Sequence, residues 1–356
     1  MRESQISDMK FGTHKIAGEC AIHRVLIIGT GGIGRRHLKG YEQTRRATLS
    51  VVEPDAEKRA FVLSQFALVH SYADVSEVVL QDYDLAVICA PAHMHVPLMN
   101  VCVSAGLPFM VEKPLSVTAD GVRKTLDNVS STNLLARVGF TRRVADELKQ
   151  VRKDIQTGKI GELKLIYMNS SQEFPKYRPD FQTTYYARPE MGGGAILDAA
   201  SHLFDMLIWI AGKPRHVSCM YDRLVLEGTQ TEDTCLINIR FESGTMANVT
   251  INQFQKPNTN QQEFIGTTGN LLLDHSTLTY RNSDTAGPVE THDFMDGLVP
   301  MEAHQARFAM QANYMMDALE GGQCHLATLE DAYLNLRLAL AARQSWDERK
   351  IIELEH

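Results

Sequence analysis

The sequence predicts an α/β protein: a doubly wound parallel sheet in the first half, followed by an α+β domain. Three observations carry this reading. A β-branched and aliphatic run, Val25–Ile28, leads straight into a glycine-rich turn at residues 29–34 (GTGGIG). Between about residues 82 and 116 the chain alternates strand, helix and strand, the rhythm of βαβ units. Beyond residue 160, strand-like runs instead follow one another directly, and two long segments with helical periodicity close the chain.

At 356 residues the chain is too long for one typical core and suits two domains. We expect an N-terminal arm at 1–20, a dinucleotide-binding domain at 21–145 and a substrate-binding, oligomerising domain at 146–353. The terminal 354–356 (LEH) reads as the start of a vector-derived tag. The first twenty residues mix Lys, Arg, Asp and Glu without an apolar core, so they do not read as a secretory signal. A net charge of −7 argues against nucleic acid as a partner. The longest apolar candidates, such as 85–92, have the length of a buried strand, and no membrane span is expected. Six scattered cysteines without a C-x-x-C pair fit a reducing cytoplasm rather than a disulfide framework.

The glycine turn closes a predicted strand and opens a predicted helix, Ile33 to Gln43, the context that gives a G-x-G-x-x-G its meaning. Gly29 permits the tight turn, and Gly31 lets backbone approach a pyrophosphate. Gly34 lets helix and strand pack closely, and the helix N-terminus at Gly32 and Ile33 faces the anion. Glu53, at the end of the next strand, is placed to accept hydrogen bonds from ribose hydroxyls and would repel a 2′-phosphate. Pro54 and Asp55 follow it rather than Arg or Lys, so NAD is favoured over NADP. The bland alternative is an acid that merely solvates a turn.

Further strands are predicted at Leu85–Ala90 and Pro108–Val111, with a helix at Val96–Ala105 between them. Carboxyl ends of parallel strands border the ligand crevice. This makes Ala90, Pro91, His95, Glu112 and Lys113 candidates for the cofactor side. His93 and His95 have no acid or thiol partner at ligand spacing, and no metal site is expected. Lys113 is either a surface loop charge or a cation able to stabilise a developing alkoxide.

In the second half, a charged segment at 145–162 links the domains, and the strand-like runs begin after it. The turn at 243–245 (SGT) joins two runs as a hairpin. A wide sheet with one uncovered face suits a homo-oligomer, a dimer or a tetramer. Thr328 caps the last helix, and the methionines at 301, 310, 315 and 316 read as core packing. Tyr177, Arg178, Tyr185, Tyr186 and Arg188 form a polar aromatic loop that either covers a polyol pocket or packs on the surface. The loop leads into 192–212 (GGGAILDAASHLFDMLIWIAG), where Asp198, His202 and Asp205 fall within about 60° of one another on an ideal helix. They are either a wet stripe or the edge of an active site.

Four motifs in this order resemble the Gfo/Idh/MocA family, which includes glucose–fructose oxidoreductase, inositol dehydrogenase and a rhizopine-catabolism protein. They are GTGGIGRRH (29–37, with His37), CAPAHMH (89–95), EKP (112–114) and GGGAILDAASHLFD (192–205). The resemblance implies a Rossmann domain followed by a domain built on a large, mostly antiparallel sheet. It also implies hydride transfer between NAD and a hydroxyl-bearing carbon of a sugar, sugar derivative or cyclitol. Lys113, Asp198 and His202 fall on the family's catalytic positions; Ala200 stands where a glycine is common. On this reading His202 is the base and Lys113 steadies the alkoxide or itself takes the proton. Asp198 orients substrate or imidazole and favours the cationic ring, while Asp205 is structural or solvated. Two alternatives stand beside it: glycoside cleavage with recycled NAD, and a non-catalytic NAD-binding regulator.

Overall fold

A computed structural model describes residues 21–285, 287–295 and 299–355. The expected arm at 1–20 and His356 lie outside the described residues. Six parallel strands form the first sheet: β1 (His23–Ile28), β2 (Ala47–Val52), β3 (Leu68–Tyr72), β4 (Leu85–Ile88), β5 (Phe109–Val111) and β6 (Ala136–Val138). Their order is β3-β2-β1-β4-β5-β6, so the chain reverses its winding between β1 and β4. Ligands of such sheets lie at that reversal, beyond the strands' carboxyl ends. The strands are short and aliphatic because both faces are covered; Val25, Leu26, Ile27 and Leu85–Ile88 are fully buried or nearly so.

Helices α1 (Gly32–Thr44), α2 (Ala56–Gln65), α3 (His95–Ala105) and α4 (Val122–Thr132) connect the strands. α1 begins one residue before the predicted helix and ends one after it. His95, expected in the loop before its helix, is instead the first residue of α3.

The second sheet has nine strands: β7 (Leu163–Glu173), β8 (Pro214–Asp222), β9 (Thr234–Phe241), β10 (Met246–Asn252), β11 (Phe254–Gly266), β12 (Gly269–Asp274), β13 (Thr277–Asn282), β14 (Glu290–Asp293) and β15 (Ile352–Glu353). Every neighbouring pair is antiparallel except β7 with β10. Alternation along β9 and β10 buries Cys235, Ile237, Ile239, Ala247, Val249 and Ile251 on one face. The other face leaves Tyr167, Met220, Leu236 and Met246 exposed. Leu354 is buried and donates its N–H to the Arg215 carbonyl, so this residue of the terminal LEH packs against β8.

Between the sheets runs α5 (Asp146–Gln156); a short turn, α6 (Phe174–Tyr177), follows β7, and α7 (Ser201–Ala211), α8 (Pro300–Leu319) and α9 (Leu329–Glu348) complete the helices. α8 crosses back onto α1 so closely that a Cβ on Gly40 would sit 2.8 Å from the Phe308 backbone. Met315 and Met316 enter the core beside β1 and β2, Met310 is partly buried, and Met301 is exposed. α9 starts with a capping box between Thr328 and Asp331 and lies on α7 and β8.

The segment Pro189–Ala211 corrects two expectations. Over its 23 residues it is long and apolar enough to span a bilayer, so the apolar runs are not all of strand length. Most of it is buried against the sheet and α9, the environment of a core helix. Nor is it one regular α-helix: residues Ala195–Ala200 form a π-helical turn before α7. This wider turn breaks the 100° spacing on which the common face of Asp198, His202 and Asp205 was based.

Candidate active site

The glycine turn has the form its sequence predicts. Gly29 bends with φ of 94°, and a Cβ at Gly34 would lie 2.0 Å from the Gly29 carbonyl oxygen, so only glycine lets α1 meet β1. Gly31 and Gly32 are exposed and face open space, and Ile33 is exposed beside them. No side chain caps the N-terminus of α1, so its backbone N–H groups remain available to an anion.

Glu53 braces this cradle. Its Oε2 accepts from Thr30 N at 2.7 Å and Thr30 Oγ1 at 2.9 Å, and Oε1 accepts from Asp55 N at 3.1 Å. Of roughly four acceptor positions on a carboxylate, one is left for a ribose hydroxyl. The acid therefore does more than solvate a turn.

Ala90 and Pro91 border the cleft after β4, Pro91 exposed. His95 and Glu112, expected to contact the cofactor, lie beneath the cleft instead. The ring nitrogens of His95 face two carbonyl oxygens, Pro114 O at 2.8 Å from Nδ1 and Ala90 O at 2.9 Å from Nε2. Burial lowers its pKa while the two carbonyls act against that shift, and a neutral ring donates its single N–H to one of the two crevice loops at a time. His93 points to solvent and does not converge with it. Glu112 is buried, with Oε1 at 2.7 Å from His37 Nε2 and Oε2 accepting from Lys113 N. This explains His37: it holds the acid that fixes the backbone before Lys113.

Lys113 reaches across to the second domain. Its Nζ lies 2.7 Å from Asp198 Oδ1 and 3.1 Å from the Asp198 carbonyl, with both side chains largely shielded. Tyr185 donates to the same Oδ1 at 3.0 Å. The nearby Asp198 charge and burial raise the Tyr185 pKa well above its ordinary value, so the phenol stays a donor.

His202 sits in the first turn of α7, its ring edge-on to Phe140 at 6.3 Å. Its Nδ1 is buried without a hydrogen-bond partner, which leaves Nε2 as the nitrogen able to meet a hydroxyl. Burial, and then the charges of Lys113, Arg142 and His304, push its pKa well below 6.5. This reverses the expectation that Asp198 favours an imidazolium. Asp198 is bonded to Lys113 and Tyr185, not to His202, and the surrounding cations favour the neutral ring.

Asp205 belongs to a different structure. It is fully buried and takes three hydrogen bonds from Arg143 at 2.7–3.0 Å, while Arg143 also reaches Asp331 at 2.8 Å. The network fastens the segment after β6 to α7 and to the start of α9. Sequence reading missed Arg143, and it missed Glu232, which accepts from Ile196 N at 2.9 Å and pairs with Arg343. Glu232 also closes over Gly194, whose φ of 99° and missing side chain admit the carboxylate.

In the polar loop, Tyr186 is buried against Phe174 and Phe181 and is a packing residue. Tyr177 is exposed and accepts from Asn258 Nδ2 at 2.8 Å; Arg178 is exposed and donates to the Tyr177 carbonyl. The Arg188 side chain is exposed, while its carbonyl accepts from Met191 N and Gly193 N. Of the loop residues, Tyr185 joins the Lys113–Asp198 pair directly.

The chain is 32% identical over 193 residues to an inositol 2-dehydrogenase of Rhizobium meliloti, an alignment spanning 52% of this chain and 54% of that protein. A myo-inositol 2-dehydrogenase of Thermotoga maritima is 23% identical over 345 residues, 93% of this chain and 98% of its own length. Among solved structures, levoglucosan dehydrogenase in complex with NADH and levoglucosan shares the fold. Its TM-score is 0.83 at 20% identity, covering 94% of this chain and all of that one. Residues 23–140 match the oxidoreductase family's NAD-binding Rossmann fold, and residues 148–272 match the Gfo/Idh/MocA C-terminal domain. The chain belongs to the Gfo/Idh/MocA family of NAD-binding oxidoreductases.

Proposed function

We propose that the protein is a dehydrogenase that oxidises a secondary alcohol of a sugar, sugar derivative or cyclitol with NAD. The observation that carries this reading is the meeting of Lys113, Asp198 and a neutral His202 at the carboxyl end of β5. The relatives named inositol dehydrogenase support the substrate class. The uncapped α1 N-terminus, the open Gly31–Gly32 surface and Glu53 suit the dinucleotide, whose nicotinamide ring supplies hydride acceptance.

The chain's own residues handle the proton and the oxygen. His202 Nε2 accepts the hydroxyl proton, since a neutral imidazole has a free lone pair and the local cations keep it unprotonated before substrate binds. Lys113 Nζ, held by Asp198, donates to the same oxygen and stabilises its developing negative charge. Tyr185 fixes Asp198 from the opposite side. A regulator that only senses NAD has no need of this constellation.

An NADH-absorbance screen across inositols, aldoses, uronates and amino sugars tests the reading. At least one compound reduces NAD, and His202→Ala and Lys113→Ala lose most turnover while still binding NADH. Full turnover in both variants refutes the roles. A shared exposed face bearing Tyr167, Met220, Leu236 and Met246 supports assembly of copies through the large sheet. The free cysteines at 89, 102, 219, 235 and 324 fit a cytoplasmic setting.

A further inference from the structure

Two neighbouring arginines after β6 have opposite circumstances. Arg143 is buried and fully matched by Asp205 and Asp331. Arg142 is half-buried and turns the other way, donating to Ser170 Oγ on β7 at 3.3 Å. It makes no ion pair among the described residues, and Glu147, the acid whose charge it feels, is already held by Arg307 at 2.6 Å. Burial and Arg307 push the Arg142 pKa down to about 10, the mark of a guanidinium short of anions.

One further arginine, on the loop after α6, also lacks a carboxylate partner among the described residues. Arg178 donates only to the Tyr177 carbonyl, and its charge bears on Tyr185 and His304. His304, on α8, is lowered to about 4 by burial and then by Arg36, Arg307 and Arg178. Lys113 and Arg307 have carboxylate partners; Arg142 and Arg178 have none among the described residues. All this occurs in a chain whose net charge is −7. A partly desolvated guanidinium without a counter-ion is costly, and its planar fork suits a carboxylate.

The cofactor's diphosphate is the first anion to consider. The sheet order places it elsewhere: the glycine turn ends β1, Lys113 follows β5 and Arg142 follows β6. Three strand spacings, about 14 Å, separate the β1 and β6 ends. Arg142 thus lies beyond Lys113 as seen from the diphosphate cradle, beside Phe140 and His202. We propose that the substrate carries a carboxylate, gripped by Arg142 from the sheet side, so that the enzyme acts on a sugar acid or carboxylated cyclitol. This deepens, and rests on, the dehydrogenase reading.

Matched pairs test it: glucuronate against glucose, and galacturonate against galactose. For each, kcat/KM is measured by NADH formation, and binding to the NADH-loaded protein is measured by calorimetry. The acid is preferred over its neutral partner, and Arg142→Gln lowers the acid-to-neutral ratio of kcat/KM about 30-fold or more, with Arg142→Lys recovering part of it. NADH binding by Arg142→Gln confirms that the variant is folded. Uronate binding weakens as salt rises, whereas neutral sugar binding does not. Absence of uronate binding, or an acid-to-neutral ratio unchanged by Arg142→Gln, overturns the proposal. Uronate binding lost in Arg142→Gln, without turnover of any compound, supports the carboxylate site and overturns the dehydrogenase reading instead. Turnover of neutral sugars with no effect of Arg142 on discrimination does the reverse.

Discussion

Replacing Asp198 by Asn and Lys113 by Met, singly and together, tests which residue Asp198 serves. The 2.7 Å contact joins two largely shielded charged groups, and hydrogen bonds to charged groups contribute about 1.5–3 kcal/mol. That range corresponds to a coupling of about 10- to 150-fold in kcat/KM for the Lys113/Asp198 cycle. A parallel cycle pairing Asp198→Asn with His202→Asn is close to additive, within about 0.5 kcal/mol, because Asp198 does not bond His202. The assay is steady-state NADH formation with the best compound of the screen, with NADH binding as the folding control. Strong coupling of Asp198 to His202 together with none to Lys113 would show that the carboxylate orients the imidazole, and would refute the assignment made from the geometry.

Three other perturbations have defined outcomes. Asp205→Ala leaves Arg143 buried beside Asp331 alone; we expect a loss near the low end of 3–5 kcal/mol, seen as a fall in Tm of roughly 4–5 °C for a chain of 356 residues. An unchanged Tm would show that the network does not support the fold. Gly34→Ala forces the turn away from the Gly29 carbonyl and weakens NAD binding by about tenfold or more in a fluorescence titration. His202 and His304 have folded pKa values lowered from 6.5, so the unfolded chain binds more protons below that pH. Stability therefore falls as pH drops from about 6.5 towards 4, and His304→Gln flattens that slope in urea melts. The neutral ring also keeps the acid limb of kcat/KM below pH 6.5; a limb above it would contradict the environment of His202.

The cradle was legible because its requirements are local. A turn that must pass within contact distance of its own helix excludes every side chain at Gly34, and the acid of Glu53 must stand at a strand end, so both leave marks in a short window. Lys113 and His202 were legible as positions, though not in their partners. Asp198 was read as orienting either substrate or imidazole; it lies in a π turn at Ala195–Ala200 that departs from α-helical spacing, and its Oδ1 meets Lys113 and Tyr185 rather than His202. His95 and Glu112, expected to contact the cofactor, have side chains buried in contacts beneath the crevice lining, since strand-end position does not say which way a side chain points.

The chain alone determined the two-part architecture and the NAD cradle, because periodicity and glycine placement record backbone constraints directly, and its motifs singled out Lys113, Asp198 and His202 as candidates. Tertiary structure decided the pairings: Lys113 with Asp198 across 85 residues, Arg143 with Asp205 across 62, and Arg142 with no ion-pair partner among the described residues. Those outcomes depend on which surfaces meet when the two sheets pack together. Charge and burial are set by that meeting, and no spacing along the chain encodes them.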